Sequence, residues 1–243
     1  MTFFAGFPVE RYKFGNEAYN TAFQNMSAYV EVIDRLKDDA SFYTYYTILD
    51  GDRPDVLSQK FYGSVDFYWT FYFLNDELRK TGWPVSYNEL VAFVQKKYPN
   101  TTIVTKDDMF NKFSVGEYLH GITSDTTARI IDRNVDLGQI VVEGTKTFTD
   151  GETLEIVGSE STTLTLYSYS EQYNATRYYQ NSDEEPVDIS PFDVPGAEIS
   201  IVTNLEYYNI LNENNKQIKV LKRDVVNSVF SAFKRSLSEY VNV

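Results

Sequence analysis

Residues Tyr45–Asn75, YYTILDGDRPDVLSQKFYGSVDFYWTFYFLN, carry the punctuation from which the fold can be read. Phe42 to Ile48 is crowded with β-branched and aromatic side chains and predicts a strand. Asp50-Gly51 is a turn signal. Pro54 suits the first position of a helix, where a missing N–H leaves no bond unmade. Asp55 in the first turn meets the positive end of the helix dipole. Leu57 and Phe61 lie one turn apart on one face, and Gly63 is placed to end the helix in a left-handed conformation. Ser64 can cap a second helix, on which Phe67, Phe71 and Leu74 share one face and Tyr68 and Tyr72 another, with Asn75 closing it.

Working outward, residues 1–16 form an aromatic, irregular arm. A helix is expected from about Asn20 to Asp38, because Phe23, Met26, Val30 and Ile33 recur at steps of three and four. After the break at Trp83-Pro84, Ser86 and Glu89 make a capping box, with Val85 and Leu90 as its hydrophobic staple. That helix runs to about Lys97, and Pro99 stops it. Beyond it the pattern changes to short strands, at Ala128–Arg133, Gln139–Glu143, Leu154–Val157 and Thr163–Tyr169, with Asp150-Gly151 as a hairpin-type turn. Four such strands are marginal unless they close into a small barrel or lean on a partner. Residues 180–196 hold three prolines and an acidic run and read as a linker or surface loop. Ile199–Leu211 and Gln217–Val220 are expected to form a strand hairpin around Asn212-Glu213-Asn214-Asn215. Asp224 then caps a helix whose stripe, Val225, Val226, Val229, Phe230, Phe233, Leu237 and Tyr240, must dock either on its own domain or on a partner. The class is α+β in four segments: 1–41 arm and helix, 42–100 helical module, 101–195 β-rich insertion and linker, and 196–243 hairpin and docking helix.

The chemistry of the 243 residues is restrictive. A net charge of −13 supplies no basic face for phosphates or anionic lipid, so neither nucleic acid nor membrane is expected as a partner. No apolar run approaches the roughly 18 residues of a membrane helix. The absence of cysteine removes disulfides and thiolate metal sites. His120 is the only histidine, and neither a nucleophile elbow nor a phosphate-cradling loop accompanies it. Asp50, Asp52 and Asp55 cluster without the spacing of a calcium loop and fit a turn and a helix start instead. No catalytic residue, cofactor or metal is expected, and the protein reads as a non-enzyme. Aromatic residues make up 16% of the chain, with 20 Tyr and 17 Phe, and serve equally as core or as contact surface.

Tyr45–Asn75 resembles a LysM module. The likeness lies in the strand with Tyr45 and Ile48, the Gly51-Asp52 turn, Ser58 and Lys60 on the first helix, Tyr62-Gly63 at its end, Trp69 in the second helix and Asn75 after it. LysM domains usually bind the N-acetylglucosamine of peptidoglycan or chitin. Here Arg53-Pro54-Asp55 replaces the more usual Thr-Leu. Trp83-Pro84, a helix ending Lys96-Lys97-Tyr98-Pro99, and the terminal NNKQIKVLKRDVVNSVFSAF (residues 214–233) complete a likeness to the baseplate wedge protein fifty-three family of contractile-tailed bacteriophages. It covers about 1–100 and about 200–240. The resemblance implies a structural protein of the virion tail baseplate, assembled in the bacterial cytoplasm. Its implied partners are the helical-bundle core proteins of the wedge, the sheath-initiating wedge protein and the neighbouring wedge. Tyr45, Arg53, Tyr62, Trp69, Trp83, Phe230 and Phe233 are the candidate partner-binding residues, with core packing the competing role for Tyr62 and Trp69. A LysM-type peptidoglycan-binding tail or lysis component is the alternative.

Overall fold

The computed structural model describes residues 9–16, 18–24 and 39–239. Helices and strands are both well represented, so the α+β class holds. The chain divides into two compact units, Met1–Ser86 with Leu211–Val243, and Tyr87–Ile210. These cut across the four expected segments. The helix expected to end the 42–100 module belongs with the β-rich stretch, and the C-terminal segment is not a domain of its own.

The first unit is organised by a two-stranded antiparallel sheet of β3 (Tyr43–Thr47) and β14 (Gln217–Leu221), with Gln217 opposite Thr47 and Leu221 opposite Tyr43. Between them in the chain come α1 (Pro54–Tyr62), a 3-10 turn (Val65–Phe67), α2 (Trp69–Leu74) and α3 (Asp76–Thr81). The local signals act as expected. Pro54 opens α1, and Gly63 ends it at φ 75° with its N–H bonded to the carbonyl of Gln59. The Ser64 hydroxyl accepts from the N–H of Asp66 at the start of the 3-10 turn. Ser58, fully buried, donates to the carbonyl of Ser64 at 2.6 Å and closes the corner between the two helical stretches. The core gathers Ile48, Leu57, Phe67, Phe71, Leu74 and Leu78 from the first half with Ile218, Val220, Leu221, Val226 and Val229 from the end of the chain.

Four expectations about the two ends of the chain are corrected. Ile199–Leu211 is not one strand: it stops at Thr203, and α5 (Asn204–Asn214) follows. The signal was present, since Thr203-x-x-Glu206 is a capping pattern, and the Thr203 hydroxyl accepts from the N–H of Glu206 at 3.1 Å. There is accordingly no hairpin, and β14 pairs with β3. Asn212 to Asn215 is the end of α5 and the residue after it rather than a hairpin turn. Asp224 lies in the first turn of α6 (Arg223–Glu239) rather than at its cap, because the N–H of Val226 bonds to the carbonyl of Lys222. Near the N-terminus, β1 (Val9–Tyr12) pairs with β2 (Thr21–Gln24), where the start of a helix is expected. The rings of Phe14 and Phe23 approach to 6.4 Å. The remainder of that expected helix, with Met26, Val30 and Ile33, lies outside the described residues, as does Tyr240.

The second unit opens with α4 (Tyr87–Lys97), which buries Leu90 and Val94. A seven-stranded antiparallel ladder follows. Its strands are β4 (Thr101–Val104), β5 (Tyr118–Gly121), β6 (Thr126–Asn134), β7 (Gln139–Val142), β8 (Thr153–Ile156), β9 (Ser159–Thr165) and β10 (Ser168–Glu171), in the spatial order β10-β4-β7-β6-β5-β8-β9. The two edge strands are consecutive in sequence. Leu166 and Tyr167 step from one edge to the other, the first bonding to Glu152 and the second to Val104. The continuous segment β9–β10 thus bonds to β8 at one end and to β4 at the other, which curls the ladder into a small barrel. A bulge between Ile130 and Asp132 gives β6 the bend that closure needs. The expected strand Thr163–Tyr169 is thus two strands split at the crossing. Asp150-Gly151 is not a hairpin turn, because β7 pairs with β4 and β6 while β8 pairs with β5 and β9.

Inside the barrel Ile103, Leu119, Ile130, Ile140, Leu154 and Leu166 are fully buried, and Met109 and Phe113 pack among them. Glu152 is the one buried acid among the described residues. Its carboxylate accepts from the N–H groups of Thr149 at 2.7 Å, Ser124 at 2.9 Å and Thr123 at 3.0 Å. A side chain at Gly121 would run into this cluster, since its Cβ would lie 2.8 Å from the Glu152 carboxylate. A second sheet, β12 (Pro186–Val187), β11 (Thr176–Gln180) and β13 (Ser200–Thr203), forms from the segment expected as a linker and its flanks. No described helix is long and apolar enough to cross a membrane.

Candidate functional site

The seven residues expected to meet a partner fall into three groups. Tyr62, Trp69 and Phe233 are 7%, 3% and 2% exposed and belong to the interior of the first unit. Tyr62 stacks on Phe71 with centroids 5.8 Å apart. Burial, with smaller opposing contributions from hydrogen bonds of Thr70 and the Leu221 main chain, pushes its hydroxyl up to about 12. Trp69 stacks on Phe233 at 4.9 Å and meets Phe73 edge-on at 5.3 Å. Of the two homes available to α6, its own unit is therefore the one observed. Val226, Val229 and Phe233 enter that core, each worth roughly 1.5–3 kcal/mol relative to exposure. These residues offer a partner nothing without unfolding.

Trp83 and Phe230 are half-buried. The indole N–H of Trp83 donates to the carbonyl of Asp52 at 2.7 Å, and its ring lies 5.9 Å from both Phe71 and Tyr72. It braces the turn that leads into α1. Phe230 meets Phe67 edge-on at 5.4 Å, and the Lys234 ammonium lies 4.4 Å from its ring centroid.

Tyr45 and Arg53 are the two that face solvent. Register puts Tyr45 opposite Lys219 on the sheet face away from Ile218 and Val220, and the ring is 60% exposed beside Tyr43. Arg53 precedes α1 in an extended conformation. Its guanidinium, 74% exposed, holds Asp55 through Nε at 3.2 Å and Nη2 at 3.1 Å. The turn below is rigid, because the Asp52 carboxylate accepts from the Tyr46 hydroxyl at 2.8 Å and from the N–H of Leu49 at 3.0 Å. Burial and then Asp52 hold the Tyr46 hydroxyl above its ordinary range. A partner carboxylate reaching Arg53 would compete with Asp55 for an ion pair worth about 1 kcal/mol or less in solvent. Leu49 and Val56, 61% and 55% exposed, flank this turn in sequence.

The aspartates divide among separate duties. Asp50 pairs with Lys216 at 3.4 Å, Asp52 caps the turn, and Asp55 holds Arg53. Among the described residues no group of three or more His, Asp or Glu side chains is arranged to hold a metal. His120 lies on β5, with Nδ1 3.2 Å from the Thr127 hydroxyl and Nε2 3.9 Å from Asp125.

Three asparagines that the sequence marks only as a helix end and a turn secure the C-terminal segment of this unit. The Asn75 amide donates to the carbonyls of Phe71 at 2.7 Å and Lys219 at 2.9 Å, and its oxygen accepts from the N–H of Lys219 at 2.8 Å. It thus stands in for a neighbouring strand along the free side of β14. Asn212 does the same for Val85, accepting from its N–H at 2.9 Å and donating to its carbonyl at 3.0 Å. Asn215 donates to the Thr81 hydroxyl. No short-range pattern announces such partners, since Asn75 and Lys219 are 144 residues apart. Comparison of the chain with protein-family models and with the sequences of characterised proteins finds no match.

Proposed function

We propose that the protein is a structural component of a contractile-tail baseplate wedge, working by protein–protein contact through a LysM-like unit rather than by catalysis. One observation carries this reading. Most of the two stretches that resemble the wedge family, about 1–100 and about 200–240, falls in one unit and supplies its first strand, its helices and its closing strand, paired as β3 and β14, while α4 and residues 200–210 fall in the other. The strand and the two helices after it come in the order of the LysM likeness. The stretch outside the resemblance folds as a barrel of its own. The contacts are assigned to what solvent can reach: Tyr45 and Arg53 on the sheet and turn, with Leu49 and Val56 beside them in sequence, and the exposed rings of Tyr12, Phe14 and Tyr19 on and around the β1–β2 hairpin. Exposed aromatics and a guanidinium are the side chains from which interface anchors are commonly made, each worth about 2 kcal/mol or more where it is desolvated. The partners are the helical-bundle core proteins, the sheath-initiating wedge protein and the neighbouring wedge.

The test is co-expression with the wedge subunits followed by sizing. A stable complex that weakens in a Tyr45→Ala, Arg53→Ala double variant supports the reading. Failure of the wild-type chain to join any of these subunits, or its absence from assembled virions, overturns it.

A further inference from the structure

We propose that the barrel unit carries a saccharide-binding groove on its outer face, suited to a neutral oligosaccharide of pyranose rings. Register builds the floor. Thr102, Val141 and Asp132 lie side by side across β4, β7 and β6, and Gln139 and Asn134 form the next row. Their strand neighbours Ile103 and Ile140 point the other way, into the barrel core. A cavity of about 380 Å³ lies over these rows, walled by Tyr98, Gln172 and Arg177. It shares Asn134, Leu137, Arg177 and Tyr178 with a second groove of about 700 Å³. Both fall within the roughly 300–1,000 Å³ of small-molecule sites. Arg177 is fixed between them, its Nη1 donating at 3.3 Å to both the Tyr98 hydroxyl and Asn204, with Cζ 4.0 Å from the Tyr207 ring centroid.

The unmatched groups decide what the groove takes. Thr102 is 1% exposed, and its hydroxyl has no hydrogen-bond partner among the described residues. A buried hydroxyl left unpaired is costly, so this one is suited to a ligand. Asn134 accepts from Leu137 and Gln172 accepts from Asn100 through their amide oxygens, while among the described residues their NH2 groups have no partner. The free capacity is therefore a hydroxyl and two amide donors, beside the Asp132 carboxylate. Sugar hydroxyls both donate and accept, and can meet all of these at once. A lysine-rich segment would suit the carboxylates of Asp107, Asp108, Asp136 and Asp188, but these line the larger groove, whereas the Thr102 hydroxyl and the Gln172 amide line the smaller one, whose one acidic lining residue is Asp132. The same carboxylates disfavour an anionic ligand. Phe110 and Phe192, 69% and 58% exposed at the larger groove, offer flat apolar faces for the C–H side of further rings.

The experiment is saturation-transfer NMR on the full chain with maltotriose, cellotriose and chitotriose at millimolar concentration. Transfer is expected to at least one of them. Thr102→Val, which keeps the shape and removes an unbonded hydroxyl, should weaken that binding about tenfold without lowering the thermal midpoint. Phe192→Ala, a change at an exposed ring, should weaken it too. No transfer to any of the three overturns the proposal. So does binding indifferent to both substitutions, which would locate the sugar elsewhere, as does saturable binding of trilysine in place of the sugars. Wedge co-assembly does not depend on this site, so either result can stand without the other.

Discussion

Replacing Asn75 by alanine tests how the first unit is held together. The substitution removes three hydrogen bonds, two of them to the main chain of Lys219 and one to the carbonyl of Phe71. At about 1 kcal/mol each the loss is about 3 kcal/mol. Lys219 is half-buried, so water can recover part of the loss, and about 2 kcal/mol is expected. Both tryptophans of the chain, Trp69 and Trp83, lie in this unit, so indole fluorescence during urea titration reports its unfolding alone. With a slope of about 2 kcal/mol per molar urea, the midpoint should fall by about 1 M. Asn75→Asp sharpens the test. It keeps an acceptor for the N–H of Lys219 but turns an oxygen toward two carbonyls, so it should destabilise at least as much as alanine. A loss under about 0.5 kcal/mol for alanine, or a milder effect of aspartate, would refute the strand-mimic role, because the amide donors would then contribute nothing.

Trp69→Ala, which removes one of the two fluorophores and is therefore followed by circular dichroism against urea, should cost about 3–5 kcal/mol, since it opens a cavity against Phe73 and Phe233. Arg53→Ala should leave stability within about 0.5 kcal/mol in that assay and show its effect only in complex formation. Glu152 makes stability depend on pH. Burial pushes its carboxyl up, but the N–H groups of Thr149, Ser124 and Thr123 outweigh this and hold it below its ordinary value of 4.5. A carboxyl depressed on folding contributes stability above its unfolded value and loses it as pH falls through the folded one. Glu152→Gln should therefore cost about 2 kcal/mol at neutral pH, with the gap to wild type closing below pH 4.5. A pH-independent gap would count against the carboxylate as the anchor.

The local chemistry of Arg53 to Asn75 was legible because each signal acts within a turn or two of itself: Pro54 sets φ, Gly63 supplies a left-handed residue, and Ser64 caps. Distance in sequence is what hid the rest. Ile199–Leu211 offers apolar residues that suit either period, and only the Thr203 cap tells helix from strand. That β14 seeks β3 rather than the residues just before it is decided by the core it completes. The same holds for the candidate site. The sequence marks Tyr62 at the end of one helix and Trp69 in the next but does not say what covers them. The cover is β14 and α6, from the far end of the chain, and it turns two proposed contact residues into interior ones. Closure of the barrel by Leu166 and Tyr167 likewise has no short-range mark, since the segment reads as one continuous strand.

The pairing of β3 with β14 also orders events during synthesis. A ribosome adds roughly 5–20 residues per second and domains fold as they emerge. The barrel unit is contiguous, so it can fold while the final strand is still unmade. Ile48, Leu57 and Phe71 must meanwhile wait, apolar and uncovered, until Ile218 and Val220 arrive. That interval is the chain's window for aggregation, and a ribosome stalled near residue 210 would leave a finished barrel tethered to a sticky, half-built neighbour.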